Sequence, residues 1–135
     1  MDVNNVSDVM KNFSGDNGMP VGIDTAIKAL RPGCRFEIEM AGGNITYHKW
    51  YHDDGLPPPT KAEIDKELEF QQKLAKYYQY AYDRCREYPD GFEQLDMLWH
   101  AINSGTELKD SEWFKKIKEI KEKYPRPTED PPVKE

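Results

Sequence analysis

Two cysteines in 135 residues are too few for a disulfide scaffold, and Cys34, in an expected strand, and Cys85, in an expected helix, match no zinc-ligand spacing. Both are read as reduced, partly buried thiols. No apolar run approaches the roughly 20 residues that span a bilayer, and residues 1–20 have neither the basic start nor the apolar centre of a secretion signal. The expectation is a product made in the cytoplasm with no membrane partner. An excess of positive charge is also missing. With 19 Lys and Arg against 25 Asp and Glu, the net charge is -6, and both signs are mixed in every third of the chain. Such a chain has no field to attract a phosphate backbone, so nucleic acid is not an expected partner. There is no phosphate-cradling glycine loop, because Gly42-Gly43 falls inside an expected hairpin, and no nucleophile elbow.

What is present is polar. The apolar fraction is 37%, the charged fraction 33% and the mean hydropathy -0.92, the polar edge of globular proteins, where a single economical core is expected. Residues 1–22 read as an N-terminal arm. The run from Ser14 to Pro20 is rich in turn formers, while Val3, Val6, Val9, Met10 and Phe13 have rough helical spacing and suit a short helix docking on a neighbour.

One small α+β domain is expected over residues 23–125. Asp24 is the expected N-cap of a short helix from Thr25 to Leu30. A hairpin follows at about 34–50: Arg35 to Met40 and Ile45 to Trp50 alternate apolar and polar residues with the period of half-buried strands. A two-residue Gly42-Gly43 turn sets Met40 opposite Ile45, Ile38 opposite Tyr47 and Phe36 opposite the Lys49 stem. On the other face Glu39 meets Thr46, Glu37 meets His48 and Arg35 meets Trp50. Three prolines then hold the chain extended to Thr60, which with Glu63 forms a capping box.

That cap starts a long helix at about 60–88, on the order of 43 Å in length. It carries two apolar stripes, Phe70, Leu74, Tyr77, Ala81, Tyr88 and Ile64, Leu68, Tyr78, Tyr82, Cys85. Tyr88-Pro89 ends it. Asp90 and Glu93 then cap a helix at about 91–104 with Leu95, Leu98, Trp99 and Ile102 on one face, stopped by Gly105. Asp110 or Ser111 caps the last helix, at about 111–124, whose stripe is Trp113, Ile117, Ile120 and Tyr124. Residues 126–135 form a Pro-rich C-terminal tail without a core pattern, expected in isolation to be an extended strap or disordered. The expected architecture is α+β: a β-hairpin packed on a long helix, followed by a two-helix unit, with extended N- and C-terminal arms.

His48 and His52 lie four apart beside Asp53 and Asp54, a set that contains metal-ligating types, but Asp53-Asp54-Gly55 reads as a turn that breaks their alignment. Glu37 with Glu39, or Asp53 with Asp54, lack any cleft-forming motif and read as a solvated edge. His100 reads as a boundary residue. No catalytic residue, metal or cofactor is expected, and the chain is not expected to be an enzyme. The compositional excess is tyrosine, eight in all, with Tyr77, Tyr78, Tyr80, Tyr82 and Tyr88 on one helix. Tyrosine suits half-wet interfaces as well as cores. The expected partner-binding residues are Phe13, Tyr77, Tyr80 and Tyr82, with the tyrosines covering either the chain's own core or a neighbour. Trp50, Trp99 and Trp113 are expected core anchors.

Two stretches carry a resemblance. The first is ALRPGCRFEIEMAGGNITYHKWYHDDGLPPPTKAEIDKELE, and the second is YPDGFEQLDMLWHAINSG with WFKKIKEIKEKYPRP. They resemble a loose set of small tailed-bacteriophage proteins encoded among tail and other virion genes, with a short hairpin, a Trp-containing strand, a Pro-Thr-capped helix, and a Tyr-Pro and Gln-Leu-Asp-x-Leu-Trp helical segment. The likeness covers Ala29 to Pro127 and leaves out the arm. It implies a virion structural protein, tail or tail-fibre associated, localised to the virion and bound to other phage structural proteins as a homo- or hetero-oligomer. The alternatives are an assembly chaperone that leaves before maturation and a small host-directed protein that extends a target's sheet through its hairpin edge.

Overall fold

A computed structural model describes residues 18–135, and their fold is α+β. Helix α1 (Ile23–Leu30) leads into an antiparallel hairpin of β1 (Arg35–Ala41) and β2 (Asn44–Tyr51). The long α2 (Lys61–Glu87), α3 (Gly91–Asn103), a 3-10 turn (Leu108–Asp110) and α4 (Glu112–Lys123) follow. The residues group into two compact units, divided within α2: Pro20–Lys76 with Pro132–Glu135, and 18–19 with Tyr77–Pro131. The N-terminal arm expected over residues 1–22, including Phe13 and its neighbours, lies outside the described residues up to position 17.

In the hairpin unit, helix α1 starts before the position that Asp24 would cap. The N-cap is Gly22, whose N–H donates to Thr25 Oγ1 at 2.8 Å, and Asp24 sits in the first turn, where its charge complements the helix dipole. Gly42 and Gly43 have φ of 56° and 80°, the conformation that a two-residue hairpin turn of this hand demands and that glycine adopts without strain. The near half of the register is as the alternation predicts: Met40 pairs with Ile45, Glu39 with Thr46 and Ile38 with Tyr47.

Beyond a bulge between Glu37 and Ile38 the pairing shifts by one. Glu37 faces Lys49, Phe36 faces Trp50 and Arg35 faces Tyr51. The reason is packing. An extra residue in β2 reverses the facing of everything after it, which brings Trp50, not the Lys49 stem, onto the apolar side. Trp50 stacks near Phe36 at 6.2 Å and meets Tyr47 edge-on at 5.6 Å. Its indole N–H donates to Leu56 O at 2.8 Å. On the outer face Lys49 pairs with Glu37 at 2.7 Å and His48 with Glu39 at 2.8 Å.

The core of this unit is Ala26, Ile27 and Ile64, with Leu30, Cys34, Phe36, Ile38, Ile45, Tyr47, Trp50 and Leu68 packed around it. Burying each of the two isoleucines contributes roughly 1.5–3 kcal/mol. Cys34 precedes β1 rather than lying in it. The Thr60 box closes as expected, with Thr60 N–H donating to Glu63 Oε2 at 2.7 Å and Glu63 N–H to Thr60 Oγ1 at 3.2 Å. The bond from the Thr60 backbone N–H, and after it the Thr60 hydroxyl, hold the Glu63 carboxyl below the usual carboxylate range.

A polar chain crosses this unit. Thr25 Oγ1 donates to Gln71 Oε1 at 3.0 Å, and Gln71 Nε2 donates to Glu67 Oε1 at 3.1 Å. Glu67 is only 4% exposed. Its Oε2 receives no directed hydrogen bond, but the Lys134 ammonium sits against it as an ion pair. The C-terminal residues 132–135 are therefore an extended strap against α2, beside Leu30, Phe70 and Lys73.

In the second unit, Asp90 Oδ1 accepts from Glu93 N–H at 2.9 Å and caps α3, and Ser111 Oγ accepts from Phe114 N–H at 3.2 Å and caps α4. Arg84 closes the far end of α4: its Nε donates to Tyr124 O at 2.8 Å and its Nη2 to Lys121 O at 3.2 Å, placing a cation at the negative end of the helix. Beside it Glu87 accepts from Lys123 Nζ at 2.6 Å. Trp113 is half-buried and donates to Gln94 Oε1 at 3.2 Å, while Ile120 is fully buried, so the expected α4 stripe faces inward.

Candidate protein interface

The residues expected to bind partners have distinct fates. Tyr77, Tyr80 and Tyr82 are 8%, 8% and 1% exposed, so they are interior residues of the chain rather than an open contact surface. Tyr77 meets Tyr78 and Tyr80 edge-on at 4.9 and 6.4 Å and donates to Glu129 O at 3.1 Å, and Arg84 lies over the Tyr80 ring. Burial pushes the Tyr82 hydroxyl and the Cys85 thiol up in pKa. Phe13 lies outside the described residues.

Among the described residues large apolar side chains are exposed at several places, and four of them fall together on α3. Phe92, Leu95, Trp99 and Ile102 are 88%, 63%, 58% and 72% exposed. At 3.6 residues per turn these four positions fall within about 80° of one another, a straight stripe roughly 15 Å long. The opposite side of the helix, with Gln94, Met97, Leu98 and Ala101, is the half-buried or buried one.

This corrects the sequence reading of α3. Leu95, Trp99 and Ile102 were expected to face the core with Leu98, and Trp99 to anchor it; of these four only Leu98 turns inward, together with Gln94, Met97 and Ala101. Gln94 explains the preference. Its amide donates to Pro89 O at 2.7 Å and its Oε1 accepts from Trp113, so this polar side chain has two fixed partners inside. With Gln94 turned inward, Phe92, Leu95, Trp99 and Ile102 must turn out. A helix apolar on both faces has the composition of a buried helix, and a contiguous apolar patch rimmed by polar groups marks an interaction surface. The rim here is Asp96, which pairs with His100 at 3.3 Å, and Asn103. Phe92 was the residue of this stripe that sequence reading missed, although its spacing to Leu95 and Trp99 was there to be seen.

The residues weighed for metal chemistry are not brought together. His48 Nε2 is on Glu39, whereas His52 Nε2 lies 3.1 Å from Pro32 O and its Nδ1 accepts from Asp54 N–H at 3.2 Å. Among the described residues no group of three or more His, Cys, Asp or Glu side chains has a metal-holding arrangement. No described helix is long and apolar enough to cross a membrane. The chain matches no protein-family model, no curated protein and no solved structure.

Proposed function

We propose that this chain is a non-enzymatic interaction protein that works as a subunit of a larger assembly. The observation that carries the reading is the outward apolar stripe of α3, Phe92, Leu95, Trp99 and Ile102, set on a helix whose two ends are fixed by Asp90 and by the Gly105 stop. Leaving about four large apolar side chains in water is unfavourable by on the order of 1 kcal/mol or more each, and a partner surface relieves it.

The setting is the one that the sequence resemblance implies, a component of a tailed-phage virion at the tail or tail fibre. Mass spectrometry of purified, salt-washed particles tests it. A fixed copy number relative to the major capsid protein supports a structural subunit; absence from the particle rejects that role and leaves an assembly chaperone or a host-directed binder. A host-directed binder is the second reading, favoured by the hairpin, whose two strands, among the described residues, pair only with each other and leave an edge on each side.

A further inference from the structure

We propose that the α3 stripe pairs with the same stripe of a second copy of this chain, the two helices running antiparallel about a two-fold axis near Met97. This rests on reading α3 as an interface and adds the occupant. Phe92, Leu95, Trp99 and Ile102 are separated by three, four and three residues, so the pattern is the same read in either direction. A two-fold axis maps a surface onto itself, and a stripe symmetric about its own centre is self-complementary under it. Antiparallel pairing sets Phe92 against Ile102 and Leu95 against Trp99, an aromatic beside an aliphatic at each layer, in the manner of knobs entering holes.

Parallel pairing is worse on three counts. It stacks Trp99 on Trp99 and leaves Leu95 on Leu95, it aligns the two helix dipoles, and it brings the carboxylates of Asp90 and Glu93 of both copies together at one end. The antiparallel arrangement opposes the dipoles and separates those acids. Asp96 of each copy then lies near the seam, with its own His100 Nε2 at 3.3 Å. Gly91, at the edge of the stripe, allows the backbones to approach.

The area fits a reversible dimer. From the exposures of the four side chains and the size of aromatic residues, each copy would bury on the order of 500 Å², which brings the pair to roughly 1,000 Å², the lower bound of specific interfaces.

Sedimentation equilibrium of the full chain across a concentration series tests this. The apparent mass should rise from 15.8 kDa toward twice that value, and the rise should persist when salt is increased. Phe92→Ser with Ile102→Ser should weaken association at least tenfold while leaving the helix content unchanged and, at concentrations where the wild type is monomeric, the melting temperature unchanged. Mixing Phe92→Cys chains with Ile102→Cys chains should give a mixed cross-link in excess of either self cross-link. A chain that stays monomeric at several hundred micromolar overturns the proposal, as does a dimer indifferent to the paired serine substitutions or an excess of the Phe92→Cys self cross-link. If the chain is monomeric but the serine variant is lost from assembled particles, the stripe binds a different component: the second-copy inference fails and the interaction reading survives.

Discussion

Glu67 is a carboxylate in a place that composition alone would give to an apolar residue. It lies on the inward side of α2 between Ile64 and Gln71, and its two oxygens are held by the Gln71 amide and the Lys134 ammonium. Removing one partner of a buried charge is worse than never having the pair, because the remaining charge loses its compensation. Lys134→Met should therefore destabilise the chain by about 1–2 kcal/mol, less than a fully buried pair because the lysine itself is half exposed. Chemical denaturation in urea measures this, and Glu67→Gln in the same background should recover part of the loss. A second residue-level prediction concerns Glu63. Its pKa is depressed by the Thr60 backbone N–H first, then by the Thr60 hydroxyl. A depressed carboxylate contributes stability that is fully present above its ordinary value, about 4.3, and is lost as pH falls through the folded value. Wild type should melt higher than Glu63→Gln near neutral pH, and the difference should close as the pH is lowered below 4.3.

At the scale of elements, Trp50 and Trp99 lie in different environments. Trp50 is packed on Phe36 and Tyr47 and hydrogen-bonded to Leu56 O, whereas Trp99 is mostly in solvent. Trp50→Ala should cost about 2–3 kcal/mol, while Trp99→Ala should change folding stability by less than about 0.5 kcal/mol; equal losses in thermal melts would contradict this assignment of faces. Much of the element plan was legible in the sequence because local chemistry decides it. The Thr60 and Asp90 caps, the Ser111 cap and the Gly42-Gly43 turn are each fixed by residues within a few positions. The bulge was not legible. It follows from the gain in placing Trp50 on the apolar face, which is a tertiary effect. The orientation of α3 was hidden for a related reason. Periodicity finds an apolar face, but when a helix is apolar on both sides only the partners of a polar residue, here Gln94, decide which side turns inward. The polar chain through Glu67 was hidden too, because its partners are 46 and 67 residues away in sequence.

For the molecule as a whole, the C-terminal segment is an extended strap with fixed contacts. Glu129 O accepts from Tyr77, and Lys134 reaches Glu67. Deleting residues 126–135 should consequently lower the melting temperature by several degrees, a shift that corresponds to a loss of about 1–2 kcal/mol for a chain of this size; an unchanged melt would show that the strap contributes nothing to folding. A net charge of -6 opposes indiscriminate association through the exposed stripe. The central claim is that the chain acts through the outward face of α3. Its most direct test is the copy number of wild type and of Phe92→Ser with Ile102→Ser in purified, salt-washed particles, measured by mass spectrometry against the major capsid protein. The account predicts a fixed wild-type copy number and loss of the variant, with the variant still folded; a variant retained at the wild-type copy number would contradict it.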